Sequence, residues 1–173
     1  MERIDFLEEY HQAGNRDYML RVTTHDKAEC AVEAKKFEKK YFDDHRKYGY
    51  GGYYYDGRWI SLAKKLVNHY DIQSGDKILD VGCAKGFLLY EFTQVVPGVE
   101  VRGLDISNYA LENAKPEVKD QLDHGHAKDL PYEDNEFDFV FSNNTEAFFT
   151  PEEFRWIYEQ CGYTGDYGFI FFE

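Results

Sequence analysis

The feature that most constrains the fold is a regular alternation of short apolar runs with helical patterns after residue 76. In chain order the pattern reads strand 77–82, helix 86–96, strand 99–104, helix 107–114, strand 121–126 and strand 137–142. Alternation of this kind favours a parallel sheet with helices packed on both faces. The sequence therefore predicts an open α/β domain whose parallel strands all end at one edge of the sheet.

Two amphipathic helices are predicted on either side of that region. The first covers residues 58–70, where helical spacing is kept by Trp59, Leu62, Ala63, Leu66, Val67 and Tyr70. The second begins at Thr150-Pro-Glu-Glu153, which combines an N-cap, a proline at the first helical position and an acid that closes the capping box. Gly162 ends it, and residues 166–173 are predicted as a last strand.

Residues 1–56 are predicted as a separate, polar and helical extension. One helix is expected over residues 26–41, because a single helical stripe is formed by Cys30, Ala34, Phe37 and Tyr41. Residues 48–57 then combine four glycines with five tyrosines. This composition is typical either of a loop fixed to the core by its rings or of a lid that closes over a ligand. The remaining residues, 57–173, form the second unit.

The composition limits which partners are plausible. With 173 residues there is room for one α/β core and a small appendage. A formal net charge of −13 disfavours nucleic acid and an anionic membrane, and favours a small-molecule partner. The three cysteines form no C-x-x-C pair, so neither a disulfide framework nor a metal site is predicted. The acidic start, without a signal-like apolar stretch, predicts a cytoplasmic protein.

The turn after the first predicted strand carries the most chemical information. Gly82 and Gly86 lie where strand passes into helix, and they let a ligand approach the main chain. Asp80 precedes them, and an acid there would repel a pyrophosphate. The third glycine of a G-x-G-x-x-G loop is absent, and so is the spacing of a P-loop. The turn therefore favours a ligand with a cationic end.

The second strand ends in another acid, Asp105. An acid at this distance from the glycine turn is the usual partner of a ribose diol, because a carboxylate can accept from both hydroxyls. Ser107 follows as the predicted N-cap of the next helix. Residues 125–131 leave the third strand and should lie beside the same crevice.

Four segments resemble, in order and at ordinary spacing, the successive motifs of class I S-adenosylmethionine-dependent methyltransferases. They are Leu79-Asp-Val-Gly-Cys-Ala-Lys-Gly86, Gly103-Leu-Asp-Ile-Ser107, Ala127-Lys-Asp-Leu-Pro131 and Phe137-Asp-Phe-Val140. Residues 51–59 and 162–167 further resemble a bacterial subgroup of small-molecule methyltransferases. The resemblance implies a Rossmann-like fold, S-adenosylmethionine as cofactor, and a catalytic domain at residues 57–173.

The resemblance also implies which residues bind the donor. The methionine half would be surrounded by Asp80, Gly82, Cys83, Ala84 and Gly86, with Ser142 nearby. Asp105 would hold the ribose, and Ile106 would contact the adenine. The loop of His126, Ala127 and Asp129 would border the adenine edge. Ala84 replaces the middle glycine of the motif, and His126 stands where an Asp or Asn often reads the adenine amine, a role that Asp129 or a backbone carbonyl could take.

A sulfonium methyl group is already activated, so alignment of the acceptor is the protein's main task. The sequence identifies no general base among its six histidines, and no catalytic residue is predicted. Arg58, behind the tyrosine loop, is predicted either to bind the donor's carboxylate or to pair with the acidic surface.

Three functions are consistent with these motifs. The first is an enzyme that transfers a methyl group to a small-molecule acceptor by direct displacement. The second is a non-catalytic module that binds the donor, and the third is a nicotinamide-dependent oxidoreductase.

One element that the resemblance implies is missing from the pattern. A class I core continues after its fourth strand with a helix, a fifth strand and another helix, whereas this chain passes from Ser142 to Pro151 almost directly. Loss of the fifth strand would expose the edge of the fourth, which is costly. We therefore expect that roughly 40–60 residues are absent near Ser142–Thr145, the length of a strand with two crossover helices.

Overall fold

The computed structural model describes residue 6, residues 27–143, and residues 152 and 159. Its helices are α1 (Lys27–Ala34), α2 (Lys39–Asp43), α3 (Ile60–Tyr70), α4 (Phe87–Val95), α5 (Asn108–Glu112) and a short 3₁₀ turn (Lys119–Gln121). Its strands are β1 (Lys77–Val81), β2 (Glu100–Asp105), β3 (Leu122–His124) and β4 (Phe139–Phe141). The six elements predicted between residues 77 and 142, and helix α3, are confirmed with shifts of a few residues at their ends.

The four strands form one parallel sheet in the order β3-β2-β1-β4. Ile78 pairs with Val101 of β2 on one side and with Phe139 of β4 on the other. The chain therefore adds strands outward from β1 in one direction and then returns to the opposite side of β1. In open α/β sheets the ligand crevice lies outside the carboxyl ends of the strands at such a reversal.

The two faces of the sheet are covered differently. On one face, β1 and β4 contribute Ile78, Phe139 and Phe141, which pack with fully buried residues of α3 and α4 such as Leu66 and Phe92. On the other face, Leu79, Val81 and Val140 pack against the segment that connects β3 to β4, through Ala127, Leu130, Tyr132 and Phe137. The predicted parallel sheet with flanking helices is confirmed, and within the described residues its helices lie on the α3–α4 side and at the β2–β3 end.

The single helix predicted over residues 26–41 is wrong. The structure has two short helices, and Phe37 between them adopts a left-handed backbone with φ of 50°. Two contacts favour the break: the Phe37 carbonyl accepts a hydrogen bond from the Ser107 hydroxyl, and its ring packs edge-on against Tyr41. The helical pattern thus predicts the helices before and after Phe37 correctly, but contacts of Phe37 interrupt the helix between them.

The described residues end their continuous run at Asn143. The predicted helix from Thr150, the predicted strand 166–173 and the expected missing unit near Ser142–Thr145 lie outside them. Among the described strands, β4 pairs with β1 alone. The part of the chain that the structure describes contains no helix long and apolar enough to cross a membrane.

Candidate functional site

A cavity of about 400 Å³ opens at the carboxyl ends of all four strands. Its volume lies within the range of about 300–1,000 Å³ that small-molecule sites occupy. The strand ends contribute Val81, Gly82, Ala84, Leu104, Asp105, Ile106, Gly125, His126, Ala127, Lys128 and Asn143. The opposite wall comes from residues before the sheet, namely Lys35, Phe37, Tyr41, Phe42 and Tyr50.

The sheet side of the cavity is built from three strand-end loops, residues 82–86, 105–107 and 125–128. Backbone hydrogen bonds fix the first of them, because the amides of Gly82 and Cys83 both donate to the Leu104 carbonyl at 2.7 and 3.1 Å. Gly86 has φ of 68°, and a Cβ there would lie 3.0 Å from the side chains of Leu122 and Val118. Glycine is therefore required at this position both by the backbone and by the close approach of β3.

Asp105 joins the first two strand-end loops. It is buried, and its two carboxylate oxygens accept from the amides of Ala84 at 2.7 Å and Ser107 at 2.8 Å. Burial raises the pKa of Asp105, although those two amide hydrogen bonds oppose the shift. A carboxylate has about four lone-pair positions, so Asp105 can still accept hydrogen bonds from a ligand in the cavity.

Asp80 is a second buried acid, at the end of β1. Only 4% of its surface is exposed, and within the described part of the chain its Oδ1 atom has no hydrogen-bond partner. Burial raises the pKa of Asp80 well above its ordinary value, and the nearby charge of Asp105 raises it further. A buried acceptor without a partner is costly, and a cationic or N–H group would satisfy it.

The third strand-end loop is a turn that follows β3. The amide of Gly125 donates to the Asp105 carbonyl, and the amide of Asp129 donates to the His126 carbonyl. Ile106 projects from the neighbouring loop with 45% of its surface exposed, and it lines the cavity. An exposed branched apolar side chain at this place offers a flat, water-poor surface to a ligand.

The wall opposite the strand ends is formed by residues 37–53, which we call the aromatic strap. The strap folds back on itself, because the amides of Tyr50 and Gly52 donate to the carbonyls of Tyr41 and Phe42, both at 2.9 Å. The rings of Phe42 and Tyr50 stack with centroids 5.9 Å apart. Tyr50 of the loop 48–57 is thus fixed by its ring, and it also lines the cavity.

Comparison with protein-family models matches residues 78–162 to the family described as a methyltransferase domain. The matched range begins in β1 and contains all three strand-end loops. Residues 78–162 of this chain are a methyltransferase domain.

Curated relatives of the domain carry a methyltransferase name. Demethylmenaquinone methyltransferase of Staphylococcus saprophyticus is 40% identical over 82 residues, which covers 44% of this chain and 35% of the relative. The protein of the same name from Symbiobacterium thermophilum is 40% identical over 92 residues, which covers 49% of this chain and 37% of the relative. This chain therefore spans little more than a third of the length of the relatives it matches.

A solved structure supports the fold. The crystal structure of a Methanococcus maripaludis protein, described as a candidate S-adenosyl-L-methionine-dependent methyltransferase, superposes with a TM-score of 0.51 at 23% identity. The similarity covers 60% of this chain and 50% of that one. S-adenosylmethionine is the cofactor that the methyltransferase motifs imply, and that solved structure is named for it. The orphaned Asp80 oxygen and the buried Asp105 suit a ligand that carries positive charge and hydroxyl donors.

The structure brings half of the predicted site residues to the cavity wall. These are Gly82, Ala84, Asp105, Ile106, His126 and Ala127. Three others, Asp80, Cys83 and Gly86, are in or directly before the same glycine turn but do not line the cavity. Ser142 is buried, and its hydroxyl donates to the Val81 carbonyl at 2.6 Å.

Arg58 and Asp129 stand away from the cavity wall. The Arg58 guanidinium pairs with Asp56, with Nε 2.8 Å from Oδ2, and its side chain is about half exposed. The structure thus shows the ion pair that was the second interpretation of Arg58. Asp129 is exposed beyond His126 in the turn after β3.

Sequence reasoning missed the cavity residues of the strap and one residue at the end of β4. Asn143 lines the cavity, and its buried Oδ1 atom has no hydrogen-bond partner among the residues that the structure describes. The signal was available, because the loop after a parallel strand borders the crevice, and Asn143 is the second residue after β4. For Phe37, Tyr41 and Phe42 no local signal existed, since a helical stripe does not reveal what it contacts.

Proposed function

We propose that this chain is an S-adenosylmethionine-dependent methyltransferase that transfers the methyl group to a small-molecule acceptor by direct displacement. The observation that carries the proposal is the cavity at the strand-order reversal, with two buried acids at the ends of β1 and β2. That arrangement suits a cationic donor and disfavours a dinucleotide, whose pyrophosphate would approach Asp80 at the glycine turn.

When bound, the donor supplies an activated methyl group on a sulfonium sulfur. The chain's own residues would then bind the donor and orient it. Asp105 would accept from the ribose hydroxyls, and Ile106 would contact the adenine. Asp80, which is buried next to the cavity-lining residues Val81 and Gly82, would accept from the ammonium group of the methionine half. The strap excludes water from the side opposite the sheet, and proximity and orientation are the main source of rate acceleration in such a transfer.

No side chain of the described residues is assigned as a general base. His124 directs its Nε2 atom to the Ile106 carbonyl at 3.1 Å, and His126 is exposed at the rim. Within the described ranges no cluster of three or more His, Cys, Asp or Glu residues is placed to hold a metal ion.

The acceptor class is proposed from the relatives and the strap together. The curated relatives are named for demethylmenaquinone, a small molecule. The strap offers the rings of Phe37, Tyr41, Phe42 and Tyr50 to whatever occupies the cavity. A small molecule rather than nucleic acid fits the net charge of −13.

A cytoplasmic location is consistent with the free thiols of Cys30 and Cys83.

Turnover tests this proposal against a binding module. The chain is incubated with methyl-labelled S-adenosylmethionine and either demethylmenaquinone or a small-molecule extract. We expect label to appear in the acceptor fraction together with S-adenosylhomocysteine. Donor binding without any transfer would favour the non-catalytic module, and binding of NAD instead of S-adenosylhomocysteine would favour the oxidoreductase. Heat-denatured chain is the blank for uncatalysed methylation.

A further inference from the structure

The glycine turn contains a buried lysine whose charge is directed away from the cavity. Lys85 lies between Ala84, which lines the cavity, and Gly86, which begins α4, and 7% of its side chain is exposed. Its ammonium donates to Asp43 Oδ2 at 2.6 Å and to the Tyr53 carbonyl at 2.8 Å. It also lies 5.8 Å from the ring centroid of Tyr109. Two of the three partners of Lys85 therefore belong to the aromatic strap.

Asp43 accepts hydrogen bonds both from the strap itself and from residues near the strand ends. Its Oδ1 atom accepts from the Tyr53 amide at 3.0 Å, and its Oδ2 atom accepts from the Tyr109 hydroxyl at 2.8 Å as well as from Lys85. Partial burial works to raise the pKa of Asp43, but the hydrogen bonds from Lys85 and Tyr109 outweigh it, and the pKa is lowered. Asp43 is therefore charged at neutral pH and holds both arms of the strap to the glycine turn.

A second contact holds the start of the strap to the next strand-end loop. The Ser107 hydroxyl donates to the Phe37 carbonyl and accepts from the Ala110 amide, while the Ser107 amide donates to Asp105. The strap is thus attached to two strand-end loops: to residues 82–86 through Lys85, and to residues 105–107 through Ser107.

These attachments define how far the rings of the strap stand from the strand ends. Tyr41, Phe42 and Tyr50 line the cavity between the two attachment points. Ala84, the residue before Lys85, donates its amide to Asp105. We propose that the aromatic strap is part of the donor-binding site and that Asp43 and Lys85 are a positioning pair that sets donor affinity. This inference rests on the proposed function.

A purely stabilising role would not need this pair. Taking charges out of water is costly, and replacing an ion pair that is largely buried with apolar groups is often neutral for stability. Its directional hydrogen bonds, by contrast, fix one geometry of the strap relative to the glycine turn. A positioning pair should therefore affect donor binding more than it affects folding.

A double-mutant cycle on donor binding tests the pair. Calorimetric titration with S-adenosylhomocysteine is run on the wild type, Asp43→Asn, Lys85→Met and the double variant, at a temperature where all are folded. We expect each single variant to bind about tenfold more weakly, within the range usual for coupled sites. The double variant should be no weaker than the worse single variant, because the two residues act as one unit. Glu33→Gln is the matched control, since it breaks exposed ion pairs with Lys36 and Lys40 on the same extension.

The outcomes separate this inference from the proposed function. If the wild type fails to bind S-adenosylhomocysteine, both are overturned. If it binds and the Asp43 and Lys85 variants bind equally well, or if their losses simply add, the positioning pair is overturned while the donor site stands. Should Asp43→Asn not fold, Tyr109→Phe removes a single hydrogen bond from Asp43 and decides the question. We expect about a threefold loss of affinity for it, and an unchanged affinity would overturn the pair.

Discussion

The two walls of the cavity are built by different physical means. The strand-end loops are held by backbone hydrogen bonds that continue the sheet, such as those from Gly82 to Leu104 and from Gly125 to Asp105. The aromatic strap is held to the strand ends mainly through side chains: packed rings, the ion pair between Lys85 and Asp43, and the hydrogen bond from Ser107 to Phe37. Hydrogen bonds that continue the sheet fix the backbone of the strand-end loops, so that wall of the cavity has little conformational freedom. The strap side can shift by rearranging a few side chains, so affinity can be adjusted there without altering the sheet.

The largest expected effect comes from removing the acid that joins the strand-end loops. Asp105→Ala should lose about 1.5–3 kcal/mol of donor affinity, as expected when hydrogen bonds to a charged group are removed. It also leaves the Ala84 and Ser107 amides without their acceptor, so the free energy of unfolding should fall as well. Calorimetry on the folded variant measures the first effect, and chemical denaturation measures the second.

Asp138→Ala is the matched control for that change. Asp138 also accepts from a backbone amide, that of Lys77 at 2.9 Å, but at the amino end of β1. We expect it to cost stability with no change in donor affinity. An unchanged affinity in folded Asp105→Ala would refute the role of Asp105 as donor ligand.

The next effect separates backbone strain from crowding in the glycine turn. Gly86→Ala puts a side chain on a left-handed backbone and within 3.0 Å of Leu122 and Val118. The backbone strain alone should cost about 1–2 kcal/mol of stability, and the crowding adds to it. Gly75→Ala has a similar positive φ with open space around it, so it should show the strain without the crowding. Equal melting temperatures for the two variants would contradict the close packing of β3 against the turn.

On the strap side, Gly49 is the corresponding position. A Cβ at Gly49 would lie 2.3 Å from the Tyr41 carbonyl oxygen, so Gly49→Ala must displace Tyr41 or its own backbone. Because Tyr41 lines the cavity, we expect donor binding to weaken by about 1 kcal/mol or less, the size usual for a residue that acts through others. Gly57→Ala, outside the strap, is the control. A change in melting temperature with no change in affinity would show that the strap does not contact the donor.

The smallest effect concerns Glu91 of α4, beneath the end of the tyrosine loop. Burial raises the pKa of Glu91, although Tyr55 and Lys115 oppose the shift. The folded chain therefore holds this proton to a higher pH than the unfolded chain does, and stability falls as pH rises from the ordinary value through the raised pKa. Glu91→Gln should remove that loss and melt higher than the wild type above this window. A pH profile of Glu91→Gln that matches the wild type would contradict the assignment.

The sequence predicted one wall of the cavity far better than the other. Gly82, Asp105 and the Ser107 cap could be located because strand, turn and helix signals are local and parallel strands end at one edge. Nothing local marks Phe37 as the break between two helices, or Asp43 as the partner of Lys85. Those features depend on contacts between segments distant in sequence, and a helical stripe indicates only that some surface is buried. Arg58 is a different case, because the partner of its side chain is Asp56, only two residues away in the sequence.

Deuterium exchange with and without saturating S-adenosylhomocysteine tests most directly whether the two walls form one donor site. Peptides from the strap, including residues 48–53, and from the loop 125–128 should both exchange more slowly when the ligand is bound. Peptides from α3, on the far face of the sheet, should be unaffected. Slowing at residues 125–128 with an unchanged strap would contradict the two-walled site, and no slowing in either segment would contradict a donor site in this cavity.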